Sequence, residues 1–564
     1  MRAISAILVA AATMLAACSN ESGSRDAAKA PSADVIYTNA VVWTGAADMP
    51  RAEAVAIADG FIIGVGDAGS VDALKGDKTK VVDLGGAFVA PGFIDNHTHF
   101  LSGGLGLASV QLRDAASKEE FSRRIGDFAA SSPEGRWIRF GDWDHQLWGG
   151  ELPRADWIDT VTPDNPVFVF RLDGHMALAN SLAMRLAGVT AETPDPAGGE
   201  IVRDADGTPT GVFKDNAMNL IAAVMPPLAD EEIDAAFLAA QDVALAHGVT
   251  EIHDMGDGDG KSLPDFRRQK EAGRMRIRVY ALSPLADWPT LAAYVEENGR
   301  GDDRFRWDGL KGFVDGSLGS ATAWFYDPFT DRPDYSGMPV ADLDELKADI
   351  EGADAAGLHV AVHAIGDRAN DWLLDAYESA VSANGEEIRS RRFRIEHAQH
   401  LTTGEIDRFA HLGVIASMQP YHAIDDGRWA ETKIGPERIK TTYAFRSLID
   451  AGAVLTFGSD WSVAPLDPLA GIYAAVTRRT IDGANPGGWV PAQKITVDEA
   501  LHAYTAANAY AGFQEDNLGT IEPGKLADLV VLADDVTQID PTLIADVKVL
   551  RTIVGGKEEY RAEE

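Results

Sequence analysis

The residues of this chain best suited to chemistry sit in residues 93–100, read FIDNHTHF, directly after Ala90-Pro91-Gly92. Along a strand the side chains alternate with a period of two, so His97 and His99 share one face and their imidazoles converge. Two neutral nitrogens on a rigid backbone suit one divalent cation. They do not complete its coordination shell, so later segments must contribute. His363 closes the run LHVAVHAIGD (358–367), His397 closes FRIEHAQH (393–400), and Asp460 ends VLTFGSDW (454–461) beside Trp461. Lys311 heads LKGFVDG (310–316), on the same strand face as Asp315. An ammonium there is costly to bury, so it must pair or lose its charge. Two readings stay open: a salt bridge to a carboxylate such as Asp315, or reaction of the neutral amine with carbon dioxide. The second gives a carbamate whose two oxygens can bridge two cations.

The elements that must position these residues follow from periodicity. With VTEIHDMG (249–256), RIRVYAL (276–282) and VIASMQP (414–420), the apolar runs number eight, counted from FIDNHTHF. Residues 231–247 and 342–356 carry helical spacing, the first stopping at Gly248. Strands alternating with helices predict an α/β chain, a (β/α)₈ TIM barrel over residues 91–514 with its chemistry at the C-terminal strand ends. Residues of about 101–225 break the repeat and read as an insertion after the first barrel strand, placed to cover the mouth. Its tryptophans Trp137, Trp143, Trp148 and Trp157 are read mainly as packing. His175 and Asn180 on the insertion, Tyr421 and His422 after strand seven, and Asp315 and Trp461 are candidate substrate contacts, with local hydrogen bonding as the alternative. His253, Asp254 and His400 are expected behind the site or against substrate. Short β-type runs at both ends predict a small composite β-sandwich from residues 34–90 and 515–564.

Composition sets the compartment and excludes some partners. Fifty Lys and Arg against 87 Asp and Glu give a formal charge of −37 over 564 residues, which disfavours nucleic acid and anionic membrane. Residues 1–17 read as an export signal: Arg2 precedes an apolar run too short to span a bilayer. Leu15-Ala16-Ala17-Cys18 resembles the bacterial lipoprotein processing site, implying cleavage before Cys18 and lipidation of its thiol. Cys18 is the sole cysteine, so an intrachain disulfide is excluded. Residues 18–33 read as a lipid-anchored flexible tether. With Ser19 after the cysteine, the expected location is the outer membrane facing the periplasm, with membrane contact only through the lipid.

The motifs PGFIDNHTHF, LKGFVDGSLGSATA, HAIGDRA, RIEHAQHL, SMQPYH, FGSDW and LGTIEPGKLADLVVL together resemble the amidohydrolase superfamily. Within it the chain is most similar to the YtcJ-like subgroup that includes N-substituted formamide deformylases. RLDGHMALANS (171–181) extends the resemblance into the insertion. The resemblance implies a two-metal hydrolase: His97, His99 and Asp460 on one ion, His363 and His397 on the other, carboxylated Lys311 bridging, and Zn²⁺ as the expected metal. The expected reaction is hydrolysis of an amide, N-acyl or N-formyl C–N bond by a metal-bound hydroxide, with Asp460 carrying the proton to the leaving nitrogen. Alternatives are a one-metal deaminase of a cyclic amidine or heterocycle, and an inactive lipid-anchored binding protein. The expected partner is a small-molecule substrate, and a homo-oligomer is left open.

Overall fold

The computed structural model describes residues 32–256, 262–385 and 387–563; the export signal, Cys18 and most of the tether lie outside them. Eight parallel strands form one sheet: β1 (Phe93–Thr98), β2 (Val249–Asp254), β3 (Arg278–Pro284), β4 (Phe305–Phe313), β5 (His359–Ala364), β6 (Arg394–His397), β7 (Ile415–Met418) and β8 (Val454–Phe457), paired in chain order. All residues of β1, β2, β5, β6 and β7 are buried, as expected where helices cover one face of a parallel sheet and side chains fill the other. The ring closes between β8 and β1 through the backbone bonds Asp460 N to His97 O (2.7 Å) and His99 N to Trp461 O (2.6 Å). Asn508 Nδ2 donates to both Ile94 O and Phe457 O, tying the same two strands lower down.

Gly458 makes that seam feasible. A Cβ there would lie 2.6 Å from His97 N and 2.8 Å from Asp95 Oδ1, so only glycine lets the end of β8 approach β1 this closely. Helices cap as their sequences suggest. Asp230–Ala246 carries three acids in its first turn and ends at His247 before Gly248, whose φ is +79°. Leu343–Ala355 starts at Asp342, whose carboxylate accepts from Asp344 N and Glu345 N.

Two boundaries depart from expectation. Strand β4 begins at Phe305 and ends at Phe313, so Lys311 is near its C-terminal end and Asp315 lies beyond it. The polar residues Arg306 and Asp308, which break the apolar run, are accommodated because Arg300 and Arg306 both pair with Asp308. His99 lies past β1, at the start of helix α1 (Phe100–Leu107), rather than on the strand.

The insertion builds a five-stranded sheet from Ile138–Trp143, Val167–Arg171, Met176–Ala179, Gly199–Arg203 and Pro209–Asp215. Its own apolar cluster buries Trp143, with Trp148 and Trp157 packed at its edge. The termini contribute a four-stranded sheet (Ala33–Thr38, Ala54–Ala58, Phe61–Gly66, Lys75–Asp83) and a six-stranded one that pairs Phe88–Pro91 with Leu529–Leu532. Tyr37, Val55 and Ile57 of the first share an apolar cluster with Val89, Leu529 and Ile553 of the second.

Candidate metal centre

The C-terminal ends of the barrel strands bring His97, His99, Lys311, His363, His397 and Asp460 together. Asp460 Oδ1 is 3.5 Å from His97 Nε2 and 3.5 Å from His99 Nε2. Ligand atoms of His97, His397 and Asp460 all lie within 4.8 Å of one another. The His397 ring is 4.9 Å from that of His97 and 4.5 Å from that of His363. His397 thus stands between the two ligand groups that the resemblance implies. Lys311 Nζ is 3.5 Å from His97 Nε2, and no salt bridge to Asp315 is present. Asp315 instead accepts backbone N–H bonds from Trp324, Ile365 and Gly366, which consume its carboxylate.

The donor set fits divalent cations. Each imidazole is held through one nitrogen: His97 Nδ1 lies 2.5 Å from Glu396 Oε2, His99 Nδ1 2.7 Å from Gly256 O, His397 Nδ1 2.8 Å from Gln419 Oε1, and His363 Nε2 3.1 Å from Gly316 O. For His97, His363 and His397 such bonds fix the tautomer and turn the second nitrogen towards a metal. Asp460 Oδ1 is buried without a hydrogen-bond donor among the described residues, an expensive arrangement unless a cation faces it. Burial, reinforced by neighbouring cations, holds His97, His363 and His397 well below the usual imidazole range and pulls His99 down to about 4, so all are neutral ligands at neutral pH. Burial also brings Lys311 down to about 8 and pushes Asp460 up to about 7. His397 and Asp460 adopt φ of 72° and 61°, conformations unfavourable for non-glycine residues by roughly 1–3 kcal/mol each and concentrated at functional sites.

Behind His97 a buried network fixes the ring. Arg394 Nε lies 2.7 Å from Glu396 Oε1, Ser417 Oγ donates to Glu396 Oε2, and Arg394 reaches His253 Nδ1 and Asn96 O. His253 therefore acts from behind the cluster, as does Asp254, which accepts from Phe100 N at the start of α1. Glu396 was not among the expected site residues; the signal that could have found it is the period of two, which puts it on the same strand face as Arg394. Gln419, one residue beyond β7, gave no comparable signal.

A model of the amidohydrolase family matches residues 80–560. The chain belongs to the amidohydrolase family. This amidohydrolase is 42% identical to Protein LONG AFTER FAR-RED 3 of Arabidopsis thaliana over 94% of this chain and 92% of that protein. It is 30% identical to the N-substituted formamide deformylase of Arthrobacter pascens, covering 93% and 98% of the two chains. An uncharacterized metal-dependent hydrolase from Pyrococcus horikoshii OT3 superposes with a TM-score of 0.72 at 30% identity, covering 90% of this chain and 99% of the other.

His99, Lys311, His363, His397 and Asp460 of the cluster line a cavity of about 320 Å³. The insertion supplies one wall through Phe140, Phe170, Arg171, Asp173 and His175, β4 supplies its last residue Phe313, and the segments after β7 and β8 supply Trp429 and Ser462 among others. Of the sequence-based substrate contacts, His175 and His422 line the cavity, whereas Asp315, Asn180, Tyr421 and Trp461 do not. Asn180 caps the helix α2 (Ser181–Ala187): its Oδ1 accepts from Ala183 N and Val167 N while Nδ2 donates to Thr162 Oγ1. The Trp461 indole packs on Phe100 and over Gly103, where a Cβ would lie 2.5 Å from its ring. Tyr421 and His422 are consecutive in the helix α3 (Pro420–Asp426), so about 100° separates them, and His422 has the inward position. His400 lies behind the wall, 2.8 Å from Thr442 Oγ1.

Proposed function

We propose that this amidohydrolase is a metal-dependent hydrolase of C–N bonds in amides of the N-acyl or N-formyl type. The observation that carries the reading is the convergence of four neutral imidazoles, Lys311 and Asp460, whose Oδ1 has no hydrogen-bond donor among the described residues, with all but His97 lining one cavity. The similarity to an N-substituted formamide deformylase supports the C–N class. His97, His99 and Asp460 would hold one ion and His363 with His397 a second, with Zn²⁺ favoured by mixed imidazole and carboxylate donors. Buried Lys311, with its pKa brought down to about 8, is suited to react as a neutral amine with carbon dioxide, giving a carbamate and a proton. When bound, such ions would act as Lewis acids and lower the pKa of water to about 7.

The chain's own residues do the rest. Glu396 and Gln419 keep His97 and His397 in the ligating orientation, the walls Phe140, Phe170 and Phe313 exclude water from the acyl group, and Asp460 accepts the proton of the attacking water. The C–N bond then breaks to release an amine and a carboxylate. In the cell we place the enzyme on a lipid anchor at Cys18, at the outer membrane facing the periplasm.

A second reading, a one-metal deaminase of a cyclic amidine or heterocycle, draws on the compactness of the His97, His397 and Asp460 triad. The deciding experiment incubates metal-loaded residues 34–564 with panels of N-formyl amines, N-acyl amines and cyclic amidines and identifies products by mass. Amine plus carboxylate from the first two panels is expected. Ammonia from the third panel alone would favour deamination, and saturable binding without product would make the chain a binding protein.

A further inference from the structure

Resting on the hydrolase reading above, we propose that His175 is the group that protonates the leaving nitrogen, and that Asp215 is the residue that positions it. His175 comes from the insertion, not from the barrel, and it lines the cavity with its ring 5.1 Å from that of His363. Its Nδ1 is 2.7 Å from Asp215 Oδ1, and the Asp215 side chain is 3% exposed. Its Nε2 has no hydrogen-bond partner among the described residues. The ligand histidines carry their outer nitrogens on backbone carbonyls, on Gln419 or on Glu396 at the strand ends. His175 forms a carboxylate–imidazole pair outside that ring of strand ends.

The pair is built with care. Asp215 N donates to His175 O (3.0 Å), so the two residues are clasped through backbone as well as side chain. Asp215 sits at the end of the last strand of the insertion with φ of 45°, an unfavourable conformation that aims its carboxylate at the ring. Gly316, after β4, leaves room for it: a Cβ there would lie 2.8 Å from Asp215 Oδ1 and 2.0 Å from Thr322 Oγ1. Asp173 accepts from His175 N and from Ser320 Oγ, and also pairs with Ser317 Oγ and Arg171, which pins this loop to the barrel. A histidine that served only to pack the wall would not need a buried carboxylate behind it.

The chemistry requires a proton donor to nitrogen, a role that the resemblance gives to Asp460 and that we assign to His175 instead. Water oxygen bonds to the carbonyl carbon, its proton going to Asp460. When the C–N bond breaks, its electron pair stays on nitrogen, which must take a proton because an alkylamide anion is a very poor leaving group. His175 Nε2 supplies that proton. Asp460 then returns its proton to solvent and His175 regains one from solvent, so the balance is amide plus water to amine plus carboxylic acid. Proton acceptance and proton delivery fall to two residues on two separate parts of the chain.

The test compares His175→Gln, His175→Ala and Asp215→Asn with the wild type on N-acyl derivatives of alkylamines and of p-nitroaniline, whose weakly basic nitrogen leaves without help. We expect His175→Gln to lower kcat about 10²–10³-fold for the alkylamides and under about tenfold for the anilide, with metal content unchanged. Imidazole in the buffer should restore part of the activity of His175→Ala, and the hydrogen-bonded Nδ1 proton resonance should vanish in Asp215→Asn. Equal losses across the series, a raised KM at unchanged kcat, or loss of metal would overturn the assignment while leaving the hydrolase reading standing. A wild type that cleaves no amide would overturn both.

Discussion

Each cluster imidazole is committed on one nitrogen, and the partner differs from ring to ring: a carboxylate for His97, an amide oxygen for His397, carbonyls for His99 and His363. Glu396 has the most partners of these, because it is also paired with Arg394 and Ser417 in a fully buried position. Replacing it by glutamine keeps the shape and removes the charge. Glu396→Gln is expected to weaken metal binding about 10–100-fold, read by competition with a chelating dye. Asp460→Asn should keep its metal and lose turnover by at least about 100-fold, read by kcat beside metal content; near wild-type kcat would remove Asp460 from proton transfer. The His, Lys and Asp residues that cluster at the strand ends were legible in the sequence because such residues stand out beside apolar runs. Their orienting partners were less so, since Glu, Gln and Arg occur everywhere and Gln419 lies just past β7 while the ring it holds ends β6.

At the scale of elements, the eight strands could be read from the chain because a parallel barrel buries both faces and leaves continuous apolar runs. Residues at or past strand ends were harder, since the period of two stops where the strand does. Asp315 lies two residues beyond β4 and turns to three backbone N–H groups. Asn180 likewise precedes a helix, and a side chain that can cap will cap. Asn180→Ala is therefore expected to lower stability by ~1–2 kcal/mol, a lost cap plus unpaired buried donors, while kcat and KM stay within about twofold. Urea melts beside steady-state kinetics check this, and a kinetic defect without a stability loss would return Asn180 to the substrate.

For the molecule as a whole, the barrel brings the His, Lys and Asp cluster together and the insertion adds the wall that carries His175, so the cavity is lined by two separate parts of one chain. Stability is tied to pH through groups such as Glu251 on β2, which burial pushes up to about 8 from 4.5. The folded protein then holds a proton that the unfolded chain has released, so this contribution is fully present below about pH 4.5 and is lost as pH rises through 8. Glu251→Gln should flatten the fall of the melting temperature between pH 5 and roughly 8, measured by calorimetry at several pH values. An unchanged slope would show that Glu251 is ionised in the fold.

Hydrolysis on this reading depends on metal held by the strand-end cluster. Elemental analysis of purified residues 34–564, taken through chelation and reconstitution with an amide hydrolysis assay at each stage, tests it most directly. Two ions per chain, activity abolished on their removal and restored with their return, is the predicted result. Full hydrolysis by metal-free protein would contradict it.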